Sequence, residues 1–123
     1  MLMPNDCTSV ITITCEDEEL LTNFIQNELE SIKKYNTEYN DVLKIYKRGK
    51  KGIVFRLWSA WVPDFDWLET ILNKYEYFWI KNEWHEEGGM AGVWVGFMKE
   101  NGPFINKLTW RDLSIEEEHF LFI

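Results

Sequence analysis

The chain predicts an α+β domain in which an antiparallel sheet carries two helices on one face. Three observations carry that reading. Residues 8–14, Thr-Ser-Val-Ile-Thr-Ile-Thr, alternate with β-branched side chains, the mark of a half-buried strand. Two segments, about 17–35 and 64–75, repeat apolar residues at helical spacing. The remaining strand-like runs come in pairs separated by turn residues, as hairpins do.

In the first strand, Ser9, Ile11 and Ile13 share one face. Thr14 followed by Asp17 resembles a capping signal, and Glu16 to Glu19 place negative charge at the positive end of the helix dipole. Along that helix Leu21, Phe24, Ile25, Leu29 and Ile32 form the apolar stripe, and Lys33 and Lys34 suit its end. Residues 42–46 form a short strand, which Arg48-Gly49-Lys50-Lys51-Gly52 folds back onto Ile53–Trp58. Ile53, Phe55 and Leu57 then face one way, Val54, Arg56 and Trp58 the other.

Trp61 and Pro63 are expected to fix the turn into the second helix, whose buried stripe is Trp67, Leu68, Ile71, Leu72 and Tyr75. Tyr77–Trp84 and Met90–Met98 read as a second hairpin around a His85-Glu86-Glu87-Gly88-Gly89 loop. Asn101-Gly102-Pro103 turns the chain into a last strand, Phe104–Trp110, and Ser114-Ile115-Glu116-Glu117 is a capping box for a short terminal helix. The order strand, helix, strand, strand, helix, strand is the ferredoxin-like split βαβ arrangement, βαββαβ, with the first and third strands central and a C-terminal strand pair appended. A single domain spanning 1–123 is expected, with about 99–123 as its extension.

Composition narrows the function classes. With 46% hydrophobic and 16% aromatic residues in 123, the chain can bury a core without disulfide staples. Cys7 and Cys15 flank one extended strand, roughly 25 Å apart, too far to be bridged, and read as reduced thiols. No apolar run is long enough to span a membrane and no secretory leader stands out, so a soluble cytoplasmic protein is expected, and no membrane partner. A net charge of −8 repels phosphate backbones, making nucleic acid an unfavoured partner and a basic protein a natural one. Abundant Lys, Asn, Ile, Tyr and Glu hint at an AT-rich coding genome.

Four short blocks carry a resemblance: Met3-Pro4-Asn5-Asp6-Cys7, Ile11-Thr12-Ile13-Thr14, Phe55 with Trp58-Ser59-Ala60-Trp61-Val62-Pro63, and Glu83 with Glu86-Glu87-Gly88-Gly89-Met90-Ala91-Gly92. In this order, over roughly the first 98 residues, the chain resembles the YubB-type ferredoxin-like family of phage, plasmid and large-DNA-virus proteins. Where family members more often carry Trp, this chain has Asp6, and their Ser-Pro-Pro run is reduced to Trp61-Val62-Pro63. The resemblance implies the fold and a viral or mobile-element origin, placing the protein in a host cell's cytoplasm, and supplies no catalytic residue.

Glu83, His85, Glu86 and Glu87 combine an imidazole with carboxylates, the ingredients of acid–base catalysis, of a hydrolase or transferase, or of a divalent-metal site. The paired-His spacing of zinc enzymes is missing, and a solvated hairpin tip is the simpler reading. Cys7 and His85 form a thiol–imidazole pair if the first and fourth strands are neighbours, as this topology implies, set against a buried cysteine acting as a small hydrophobe. Trp58, Trp61, Trp79 and Trp94 are the candidate binding aromatics, set against packing in the core. If these four, with Trp84 and Trp110, instead stack bases, Lys44, Lys47, Arg48, Lys50 and Lys51 are the cations to meet phosphate, provided that the acidic residues segregate elsewhere. The expectation is a small acidic accessory protein that binds another protein without catalysis, cofactor or metal, and that is able to self-associate through an edge strand.

Overall fold

The computed structural model describes residues 6–35 and 42–111. It is an α+β fold built on a six-stranded antiparallel sheet of order β2-β3-β1-β4-β5-β6. The strands are β1 (Asp6–Thr14), β2 (Leu43–Arg48), β3 (Gly52–Ala60), β4 (Trp79–Glu86), β5 (Met90–Lys99) and β6 (Gly102–Arg111). Between β1 and β2, α1 (Glu18–Phe24), a π-helical segment (Ile25–Leu29) and α2 (Glu30–Tyr35) follow one another without a break and make the first of the two helices. The second helix, α3 (Phe65–Lys74), joins β3 to β4. The terminal helix expected at Ser114 lies outside the described residues.

Local chemistry sets the ends of both helices. The Asp17 carboxylate accepts from the Leu20 amide at 3.1 Å, and the Asp64 carboxylate from the Trp67 amide at 3.0 Å. Pro63, one residue before the second cap, is buried at the junction. The π-helical segment buries Ile25 and Leu29, and its Glu28 meets α3, accepting from Lys74 at 2.6 Å and from the Tyr75 hydroxyl at 3.1 Å.

Alternation in the strands divides the sheet into two faces. Ile11 and Ile13 of β1, Ile53 and Phe55 of β3, Ile80 of β4 and Trp94 of β5 lie on one face, in one core cluster with Leu21, Phe24, Leu29, Leu68, Ile71 and Leu72 of the helices. Phe24 is the hub of this layer: its ring meets Phe55, Trp67, Tyr75 and Phe78 at centroid separations of 5.2 to 6.4 Å. Burial of such a side chain is worth about 3–5 kcal/mol against alanine. Trp84 lies on the same face, edge-on to Phe65 at the start of α3.

β4 is shifted by two residues from the expected Tyr77–Trp84, starting at Trp79 and running closer to the turn. β4 continues through His85 and Glu86, because β1 pairs with it as far as Cys7–Glu86; the turn is confined to Glu87, Gly88 and Gly89. Gly89 has φ 103° and its amide closes the turn onto the Glu86 carbonyl. The last turn is likewise Glu100-Asn101, with Gly102 at φ 122° and Pro103 already in β6.

Candidate functional site

The second face of the sheet is uncovered by any described element. Register gives its contents row by row. At one end lie Thr8, Trp58, His85, Ala91 and Trp110; next come Lys44, Arg56, Val10, Glu83, Val93 and Leu108. The third row holds Lys47, Val54, Thr12, Lys81, Val95 and Asn106, and the far end Thr14, Trp79, Phe97 and Phe104. Four valines and Leu108 thus lie between two aromatic ends, divided by Lys81 and Glu83 of β4. Leu108 is 65% exposed, Trp110 43% and Trp58 39%.

Each end is held by polar contacts. The Trp58 indole donates to the Asp6 carboxylate at 2.8 Å, while Asp6 and Glu87 exchange bonds through the Asp6 amide to the Glu87 carboxylate and the Glu87 amide to the Asp6 carbonyl. That arrangement fixes the indole at the edge of the face. At the other end the Lys99 ammonium sits 4.2 Å from the centre of the Phe104 ring, a cation–π contact. A shallow depression lined by Val10, Glu83, His85, Val93 and Trp110 lies between.

Charge is segregated across the sheet. Within the paired strands the open face carries Lys44, Lys47, Arg56, Lys81 and Lys99 against Asp6 and Glu83, the latter held by Lys81 at 2.8 Å. Glu16, Asp17, Glu18, Glu19, Glu28, Glu30, Asp64, Asp66 and Glu69 belong to the helices and their entries. A protein of net charge −8 therefore presents a locally cationic sheet face.

The expected catalytic set is divided. Glu83 and His85 do share the open face, but Glu86 points to the helix side beside Cys7 and accepts from the Gly88 amide, and Glu87 is tied to Asp6. Among the described residues no group of three or more His, Cys, Asp and Glu side chains could hold a metal ion. Cys7 and His85 lie on opposite faces of the sheet, since Thr8, not Cys7, is opposite His85. The thiol–imidazole pair is thereby excluded. Burial pushes the Cys7 thiol up, the Ser59 hydrogen bond opposes this in part, and the Glu86 charge adds a smaller upward push. Such a thiol is a poor nucleophile at neutral pH.

The four candidate tryptophans separate as well. Trp58 and Trp79 lie on the open face, whereas Trp94 is fully buried beneath the helices and belongs to the core. Trp61 is 50% exposed in the turn after β3 at φ 71°, with the Val62 amide closing onto the Ala60 carbonyl at 2.8 Å. Of the five cations named together, Lys44 and Lys47 reach the open face. Arg48 registers with the helix-covered side, and Lys50 and Lys51 sit at the hairpin tip, where Lys51 is paired with Glu16 at 3.0 Å. Leu108 and Lys81 were not among the residues expected there, and strand alternation carried on through β4 and β6 is the signal that finds them. No helix of the described residues is long and apolar enough to cross a membrane. Comparisons with protein-family models, curated proteins and solved structures returned no match.

Proposed function

We propose that this protein is a small non-enzymatic accessory module of a virus, phage or mobile element that binds another protein through the open face of its sheet. One observation carries the reading: exposed and half-buried apolar side chains, Val10 and Val54 on one side of the Lys81–Glu83 pair and Val93, Val95 and Leu108 on the other, lie between Trp58 and Trp110 at one end and Trp79, Phe97 and Phe104 at the other. Exposed apolar patches with aromatic anchors beside them are what a protein interface buries. The strand order β2-β3-β1-β4, with a helix in each crossover, supports a ferredoxin-like core to which β5 and β6 are appended. That reading agrees with the YubB-type resemblance.

Net charge alone favours a basic partner. The open face favours carboxylates on the partner's rim, opposite Lys44, Lys47 and Arg56, and a basic surface remains suited to the acidic helix side. The same cations beside Trp58 and Trp110 favour a second reading, a single-stranded nucleic acid stacked on the face. Its aromatics, however, stand at the two ends of the strands, with Val10, Val54, Val93, Val95 and Leu108 between them. A photo-cross-linking residue at Leu108, with a control at Asn73 on exposed α3, separates the readings. The expected result is one discrete protein adduct from position 108 only, unaffected by nuclease. A nuclease-sensitive adduct would replace the partner class, and equal labelling from both positions would remove the face from consideration.

A further inference from the structure

The sheet ends in two strands that are built differently. β2 is six residues long, its register with β3 breaks between Ile45 and Lys47, and it carries Lys44, Lys47 and Arg48. Shortness, a bulge and cations are the devices that keep a bare edge from accepting another strand. β6 has ten residues and pairs with β5 without a break from Gly102 to Arg111. Its sequence, Gly-Pro-Phe-Ile-Asn-Lys-Leu-Thr-Trp-Arg, contains no carboxylate, and its one proline is confined to the second position. The cation at its middle is turned back onto its own domain, the Lys107 ammonium lying 5.7 Å from the centre of the Phe65 ring. Among the described residues nothing pairs with the outer edge of β6.

We infer that β6 pairs with β6 of a second copy, antiparallel about a two-fold axis through Asn106. A closed pair of identical chains needs a self-complementary strand, and residues directly opposite one another must share a face, so the axis passes through a residue and not between two. The middle of β6 leaves two choices. An axis at Lys107 sets Lys107 against its own copy, which like-charge repulsion disfavours. An axis at Asn106 sets Lys107 against Ile105, joins Asn106 to its copy, and places Phe104 opposite Leu108 twice over on the open face. Each copy then covers the other's most exposed apolar strand residue, Leu108, with an aromatic ring. The two open faces become one surface, and no unpaired long edge is left.

Disulfide trapping tests the register, because both native cysteines are buried. Across an axis at Asn106 the two Cα atoms of that residue lie about 5 Å apart, within disulfide reach. The two copies of Leu108 are about 13 Å apart along the strands, out of reach. Asn106→Cys is therefore expected to give a covalent dimer under mild oxidation, Leu108→Cys alone roughly tenfold less, and an equimolar mixture of Leu108→Cys with Phe104→Cys a mixed dimer. Sedimentation velocity of the unmodified chain up to roughly 100 µM should show a concentration-dependent dimer, weakened about tenfold or more by Asn106→Lys, with an unchanged melting curve. A monomer at every concentration overturns the pairing. So does a Leu108→Cys variant that links to itself as readily as Asn106→Cys.

Discussion

Asn82 is 1% exposed on the helix side of β4, and among the described residues neither its amide nitrogen nor its carbonyl oxygen meets a hydrogen-bonding group. The Trp94 indole nitrogen, directly across the strand pair, is buried and likewise without a partner among the described residues. Each such group costs its desolvation, so the pair weakens the middle of the core. Asn82→Leu is expected to raise unfolding free energy by about 1–3 kcal/mol, read from urea melts with an unchanged slope. A loss of stability would show that the amide is satisfied by something the chain does not supply. Trp61 makes the opposite kind of residue-level argument. Its φ of 71°, closed by the Ala60–Val62 bond, is a γ-turn of the strained hand, costing about 1–3 kcal/mol for a non-glycine residue. Glycine adopts it freely, so Trp61→Gly should leave the melting temperature level or higher, whereas truncating a side chain needed for the turn would lower it. Should partner binding fall at the same time, Trp61 is an anchor and not a structural prop. Titration adds a third case. Cys7, Cys15 and Tyr75 are all pushed above their ordinary range, chiefly by burial, so the folded state holds their protons more tightly than the unfolded chain does. Their contribution is complete below the ordinary thiol and phenol range and is lost as pH rises through the raised values, giving stability an alkaline decline that Cys7→Ala and Cys15→Ala should flatten in melts across that window.

At the scale of the element, β5 depends on two glycines that no periodicity requires. A Cβ on Gly96 would stand 2.6 Å from a ring carbon of Trp94 and 3.1 Å from Leu72, and one on Gly92 would stand 2.6 Å from the Trp84 ring. The indoles occupy the room that side chains would have taken, which is how the sheet holds two tryptophans under the helices. Gly96→Ala is expected to cost about 1–3 kcal/mol in a thermal melt, since the contacts are with rigid rings in a packed layer. A neutral outcome would mean that Trp94 can move aside. These slots are illegible in the sequence because they depend on which rings fold over which backbone. What the sequence does show is whatever follows a period: the Ser9, Ile11, Ile13 face of β1, the Leu21, Phe24, Ile25, Leu29 stripe and the Leu68, Ile71, Leu72 stripe all lie where alternation and helical spacing put them. Strand ends fared less well. His85 and Glu86 look like loop residues beside two glycines, yet pairing with β1 on one side and β5 on the other draws β4 out to Glu86. Tertiary pairing overrides local turn chemistry there, and the same extension separates Glu86 from His85 by face. The π-helical segment has no signal of its own in residues 25–29; its function in the fold, aiming Glu28 at Lys74 and Tyr75, appears only once α3 is in place.

For the whole molecule, the useful quantity is not the net charge but its distribution. A value of −8 describes the protein from a distance, while a partner at the open face meets Lys44, Lys47 and Arg56 first, with the acidic helices about 10 Å behind the sheet. Whether the helices are felt through the sheet depends on screening. At 0.01 M ionic strength the Debye length is about 30 Å, longer than the layer spacing, so an anionic probe experiences the net negative field. Near 0.1 M it is about 10 Å, and the cations on the near face dominate; above that they too are screened. Binding of a fluorescent poly-glutamate peptide, followed by anisotropy, should therefore pass through a maximum near about 0.1 M salt instead of falling steadily as for a uniformly basic surface. Reversing Lys44 and Lys47 to glutamate should abolish the maximum without changing the melting temperature, since both side chains are exposed on an edge strand. Equal, negligible binding by the parent chain and the reversed variant at every salt concentration would show that the acidic layer prevails on both sides. The open face would then have to find its partner through Trp58, Trp110 and the valines alone.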